Sequence, residues 1–184
     1  MAHPLGPTAL LRSGLSGQDH RMPNAIKMLQ DDNNSLRMLL CQVQLIPAGQ
    51  ADAEDKAARQ LASMLRTHSV LEDEFITPLL TKFEPDLATE SDSEHDEVKR
   101  LLGRIESLRG LERRHVMIEL QEVVRGHKHA QEISVFPLFT KKLSLDELER
   151  LGHAMSIRQQ VLLQEGVDVT SAAETGGHRV SPLL

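Results

Sequence analysis

The sequence has no tryptophan, no tyrosine and only 4 phenylalanines among its 184 residues. Its core must then be assembled from Leu, Ile, Val, Met and Ala, most of which are good helix formers. The lone cysteine, Cys41, excludes an internal disulfide and fits a reducing compartment. As a small apolar side chain it is expected to be buried. No apolar run approaches the roughly 18 residues that a membrane-spanning helix requires. The N-terminus also lacks the continuous apolar stretch of a signal peptide, so a cytoplasmic location is the expectation. Positive charge is in short supply. A net charge of −6 and a pI near 5.8 give no general attraction for nucleic acid or an anionic membrane. Nucleophile elbows, phosphate loops and zinc-finger spacings are missing as well. The acidic run ATESDSEHDE lacks the glycine and the spacing of a calcium loop, and reads as a solvated helix start.

What is present is a repeat. Residues 68–82 read HSVLEDEFITPLLTK and residues 127–141 read HKHAQEISVFPLFTK. Each opens with a histidine, places carboxylate or amide groups four and five residues on, and then meets a proline, Pro78 or Pro137. Positions i and i+4 of a helix share a face. His68 with Glu72, and His127 with Gln131 or, slightly off axis, Glu132, can therefore point to one place. A second pair of segments aligns Asp32–Asn33 with Glu94–His95 at an offset of 62 residues, close to the 59 that separates His68 from His127. The first half of the chain is thus echoed by the second, which predicts a pseudo-symmetric, all-α, up-down-up-down four-helix bundle.

The hydrophobic period places helices over about 25–46, 52–82, 87–109 and 111–141, with Pro78 and Pro137 kinking the second and fourth. Gly110 is expected to end the third. Inward stripes run through Leu29, Asn33, Leu36, Leu40 and Val43, then Leu61, Leu65, His68, Glu72, Phe75 and Leu79. They continue through His95, Val98, Leu102 and Ile105, and through Leu120, Val124, His127, Gln131, Val135 and Leu138. Ser144 and Glu147 make a capping box for an additional C-terminal helix with Leu145, Leu148, Leu151, Met155 and Leu162 inward. The expected organisation is a leader over 1–22, a bundle over 23–165 (core 23–143, extra helix 144–165) and a structureless tail over 166–184.

Imidazoles and a carboxylate on apolar stripes are costly when unpaired, at roughly 1–3 kcal/mol for each neutral group and more for a charge. A shared transition metal removes that cost by accepting neutral imidazole nitrogen and carboxylate oxygen together. Ligands of this kind, with no cysteine among them, favour iron, manganese or zinc over copper(I) or an iron–sulfur cluster.

With those residues in place, residues 24–141 resemble the hemerythrin HHE cation-binding family. The resemblance implies a bundle around one or two non-haem irons, handling or sensing O₂, NO, peroxide or iron. Carried over by position, His68, His95 and His127 are terminal ligands, Glu72 is a bridging carboxylate, and Glu132 or else Gln131 fills the second bridge. The chain departs from the family at Asn33, where a histidine is usual, and at Gln131, where an acid is usual; both are weaker ligands. Those departures support a second reading, a metal-free bundle acting as an interaction or regulatory module with a protein partner. An iron-dependent peroxidase- or catalase-like activity is a third, weaker one. His129, His115 and His153 are expected to stand outside the site.

Overall fold

The computed structural model describes residues 24–165, and the leader and tail of the sequence reading lie outside those described residues. Seven α-helical segments form: α1 (Ala25–Gln44), α2 (Ala51–Leu71), α3 (Thr77–Phe83), α4 (Pro85–Ser107), α5 (Gly110–Ala130), α6 (Phe136–Lys142) and α7 (Leu145–Gln164). Two π-helical turns, Glu72–Ile76 and Gln131–Val135, join α2 to α3 and α5 to α6. The architecture is the all-helical bundle expected from the repeat, with α2–α3 and α5–α6 as its two long, interrupted rods. Around the bundle α1 packs on α2, α2 on α4, α4 on α5, and α5 back on α1.

Caps appear where the side chains allow them. Asn24 accepts the Lys27 backbone N–H at 2.9 Å and starts α1. Ser144 and Glu147 close a reciprocal capping box that starts α7. Such caps contribute about 1 kcal/mol each. Gly110, at φ 58, opens α5 instead of ending α4. The turn between the two rests on the extended residues Leu108 and Arg109.

Both π turns sit one residue ahead of an N-terminal Thr–Pro or Phe–Pro pair. A proline at 78 or 137 has no N–H to give and crowds the carbonyl one turn earlier. The chain widens to relieve this, and the Thr77 and Phe136 N–H groups bond back five residues, to the carbonyls of Glu72 and Gln131. The sequence alone predicts a simple proline kink here, and the structure has a π turn instead. The extra residue shifts the register of everything that follows, so Ile76 and Leu80 are buried at 1% exposure and Phe75 and Leu79 only partly. In the second rod Phe139 is buried, and Leu138 partly, for the same reason.

The interior has two apolar layers with a polar layer between them. One layer gathers Leu36, Leu40, Leu61, Leu65, Leu101, Ile105, Val116 and Leu120. The other gathers Leu29, Leu71, Ile76, Leu80, Phe139, Leu148 and Met155. Fully burying one such side chain contributes roughly 1.5–3 kcal/mol. Between the two layers α1, α2, α4, α5 and both π turns contribute polar, buried residues: Asn33, His68, His95, His127, Glu72 and Gln131. Helix α7 packs on α1 and α2 and closes the second layer. It is tied to the first π turn by two Arg158 N–H bonds to Glu74, each 2.8 Å. Leu145, expected inward, is 49% exposed because it occupies the first position after the cap, before the helix meets the bundle. Cys41 is exposed rather than buried, one residue beyond the stripe position Leu40.

Candidate metal centre

Glu72 is the hub of the polar layer. It is 1% exposed, the first residue of the first π turn, one helical turn below His68 on the same face. Its Oε2 lies 2.8 Å from His95 Nε2 and 3.1 Å from His127 Nε2, and its Oε1 lies 3.4 Å from His68 Nε2. Donor atoms of His68, Glu72 and His127 all fall within 4.8 Å of one another. The His127 ring stands edge-on to His68 at a centroid distance of 5.9 Å and tilted to His95 at 5.4 Å. Four helices contribute to the layer, and three of them converge their imidazoles on one carboxylate.

The outer faces of two imidazoles are held by carboxylates to which the sequence pattern assigns no role in the centre. Asp73 Oδ1 is 2.8 Å from His95 Nδ1, and Glu94 Oε2 is 2.7 Å from His127 Nδ1. Each sits beside a predicted ligand in the sequence, Asp73 after Glu72 and Glu94 before His95. The doublet pattern acid–acid and acid–His was the available signal. Their cross-helix targets were not readable without the packing. A carboxylate on Nδ1 fixes the ring and its tautomer and leaves Nε2 for an ion.

Electrostatics follow from burial and proximity. Burial pushes the His68 imidazole below its ordinary pKa, against the attraction of Glu72. Burial opposes protonation of His95 and His127 as well. There Asp73 and Glu72 outweigh it and hold His95 up at about 9, and Glu72 with Glu94 hold His127 up at about 10. Burial would raise Glu72, but the neighbouring imidazoles His68 and His127 keep it well below the usual carboxylate range. Without an ion, the Glu72 carboxylate is balanced by protonation of His95 and His127, while burial disfavours a proton on His68.

That balance leaves atoms over. Both ring nitrogens of His68 and the Nε2 of His127 are buried with no hydrogen-bond partner, although His127 Nε2 is within ion-pair distance of Glu72. Beside them is a small cavity lined by His68, His95, His127 and Asn33. Buried nitrogen lone pairs around a carboxylate are what a borderline transition metal coordinates. The residues present therefore fit a metal ion.

Not every expected residue joins the cluster. Glu132 lies at the start of the widened turn, faces outward with its side chain 46% exposed, and pairs with Lys128 at 3.5 Å. Gln131 is the residue turned inward, 3% exposed, and its amide N–H donates to Glu72 Oε1. Asn33, 1% exposed, donates from Nδ2 to Gln131 Oε1 at 2.6 Å. His115, His129 and His153 are exposed and away from the layer.

No protein-family model and no curated protein matches the sequence. Among solved structures, the chain is similar to a hemerythrin HHE cation-binding domain-containing protein from Mycobacterium kansasii, with 20% identity and a TM-score of 0.68. The match covers 79% of this chain and 91% of that one. Taken with the helical order and the buried polar layer, it identifies the architecture: this chain has the hemerythrin-like fold.

Proposed function

We propose that the protein is a hemerythrin-like metal-binding protein that holds non-haem iron through His68, Glu72, His95 and His127. The observation that carries this reading is the group of orphaned, buried imidazole nitrogens gathered on one buried carboxylate. Imidazole and carboxylate donors also accept manganese or zinc, and iron is the choice that the resemblance to the hemerythrin family implies. When bound, iron supplies redox chemistry and an affinity for O₂, NO or peroxide. The chain's own residues supply the rest. Asp73 and Glu94 orient His95 and His127, and the two apolar layers keep bulk water from the centre.

The role that fits such a centre is sensing or handling of O₂, NO, peroxide or iron. A metal-free interaction module is the competing reading, and the amides at Asn33 and Gln131 favour it. Metal content separates the two. Protein produced with iron and purified without chelator is expected to carry iron and to show ligand-to-iron absorption in the near ultraviolet. Protein free of iron, manganese and zinc that does not take up any of them on titration would leave only the interaction module.

A further inference from the structure

The internal repeat has a consequence for how many ions the centre holds. At an offset of 59 residues His68 matches His127 and Glu72 matches Gln131; at 62, Asn33 matches His95 and Asp32 matches Glu94. A strictly symmetric bundle would therefore have two carboxylates and four imidazoles in its polar layer, one set for each half. This chain breaks the symmetry once in each half. Gln131 replaces the second buried carboxylate and Asn33 replaces the fourth imidazole.

The replacements are matched to each other. Asn33 Nδ2 donates to Gln131 Oε1, and the Gln131 amide donates onward to Glu72 Oε1. The result is a chain of neutral donors and acceptors where two buried carboxylates would repel. It also occupies Oε1 of Glu72 and leaves Oε2 facing His95 and His127. The outer residues follow the same division. Asp73 and Glu94 serve His95 and His127, whereas their counterparts do not serve the other half. Asp32 accepts from Gln159 of α7 at 3.3 Å, Glu132 pairs with Lys128, and His68 Nδ1 has no hydrogen-bond partner.

We infer that Asn33 and Gln131 are specificity-determining residues that close one half of a two-ion cage, so that the centre binds a single metal ion. The inference rests on the reading of the polar layer as a metal centre. That ion would be held by His68, Glu72 and His127, whose donor atoms lie within 4.8 Å of one another, with His95 Nε2 beside them at Glu72 Oε2.

The test is metal stoichiometry in the full chain, measured by elemental analysis after anaerobic loading with ferrous iron. Wild type is expected to bind one ion per chain. The double variant Asn33→His, Gln131→Glu, which restores the repeat, is expected to bind two, a twofold rise. Two ions in wild type, or one in a double variant that is as helical as wild type, would overturn the inference. No ion in wild type would overturn the underlying metal-centre reading instead. Electron paramagnetic resonance of oxidised wild type gives an independent readout that does not depend on how the variant folds. An isolated high-spin ferric signal is expected, and a signal-silent coupled pair at full loading would contradict it.

Discussion

Asp73 Oδ1 stands 2.8 Å from His95 Nδ1, across the interface between the first π turn and α4. The same imidazole presents its Nε2 to Glu72 at 2.8 Å, so consecutive acids of the first π turn grip both nitrogens of a ring on α4. Glu72 is buried and Asp73 is 41% exposed at its side chain, which places one at the centre and the other at its rim.

Asp73→Asn is accordingly expected to weaken metal binding without dismantling the bundle. Loss of a carboxylate behind a ligating imidazole typically costs about 10–100-fold in metal affinity. Competition with a chromophoric chelator measures it, and the metal-free helical signal should match wild type. An affinity equal to wild type would remove Asp73 from the centre.

The π turn makes a stability prediction that an uninterrupted helix would reverse. Leu80 is 1% exposed, while its neighbour Leu79 is only partly buried. Leu80→Ala is expected to cost roughly 2–5 kcal/mol through the cavity it leaves. Leu79→Ala should cost well under half as much. Denaturant unfolding of the two variants decides the register.

These two residues also show what the sequence could and could not disclose. Upstream of each π turn the 3.6-residue period placed Leu61, Leu65, His68 and Glu72 correctly, because nothing interrupts the hydrogen-bond ladder there. Beyond the turn, one inserted residue rotates the face, and the inward positions become Ile76 and Leu80 rather than Phe75 and Leu79. Pro78 announced a disturbance but not its kind, since a kink and a π turn both answer a missing N–H. In the second rod Gln131, four residues after His127, keeps the inner face by the ordinary α-helical period, and Glu132, one residue on, turns outward. His68, Glu72, His95 and His127 were legible from spacing, whereas Asp73 and Glu94 act across helix interfaces and depend on tertiary packing. Cys41 was misread because burial is common for its type, while its position, one residue past Leu40, turns it to solvent.

The pH dependence of the metal-free protein follows from its imidazoles. His95 and His127 rise from 6.5 to about 9 and about 10 on folding. Below pH 6.5 both folded and unfolded chains carry these protons, and the stabilising contribution is fully present. Between 6.5 and about 9–10 the folded chain binds more protons than the unfolded one, so stability falls as pH rises. Metal binding runs the other way, because an ion must displace those protons and gains affinity with pH. Thermal melts of metal-free and iron-loaded protein at pH 7 and pH 9 are expected to diverge, with the gap between them widening at the higher pH. A metal-free melting temperature that climbs over this range would contradict the charge balance described.

The most direct measurement is the melting temperature of metal-free protein titrated anaerobically with ferrous iron. Ligand at a hundred times its Kd adds about 2.7 kcal/mol to the folded state. A saturable rise in Tm is expected for wild type, reversed by chelator and lost in His68→Ala and His127→Ala. A Tm that ferrous, manganous and zinc ions all leave unmoved would show that the imidazoles around Glu72 do not hold a metal.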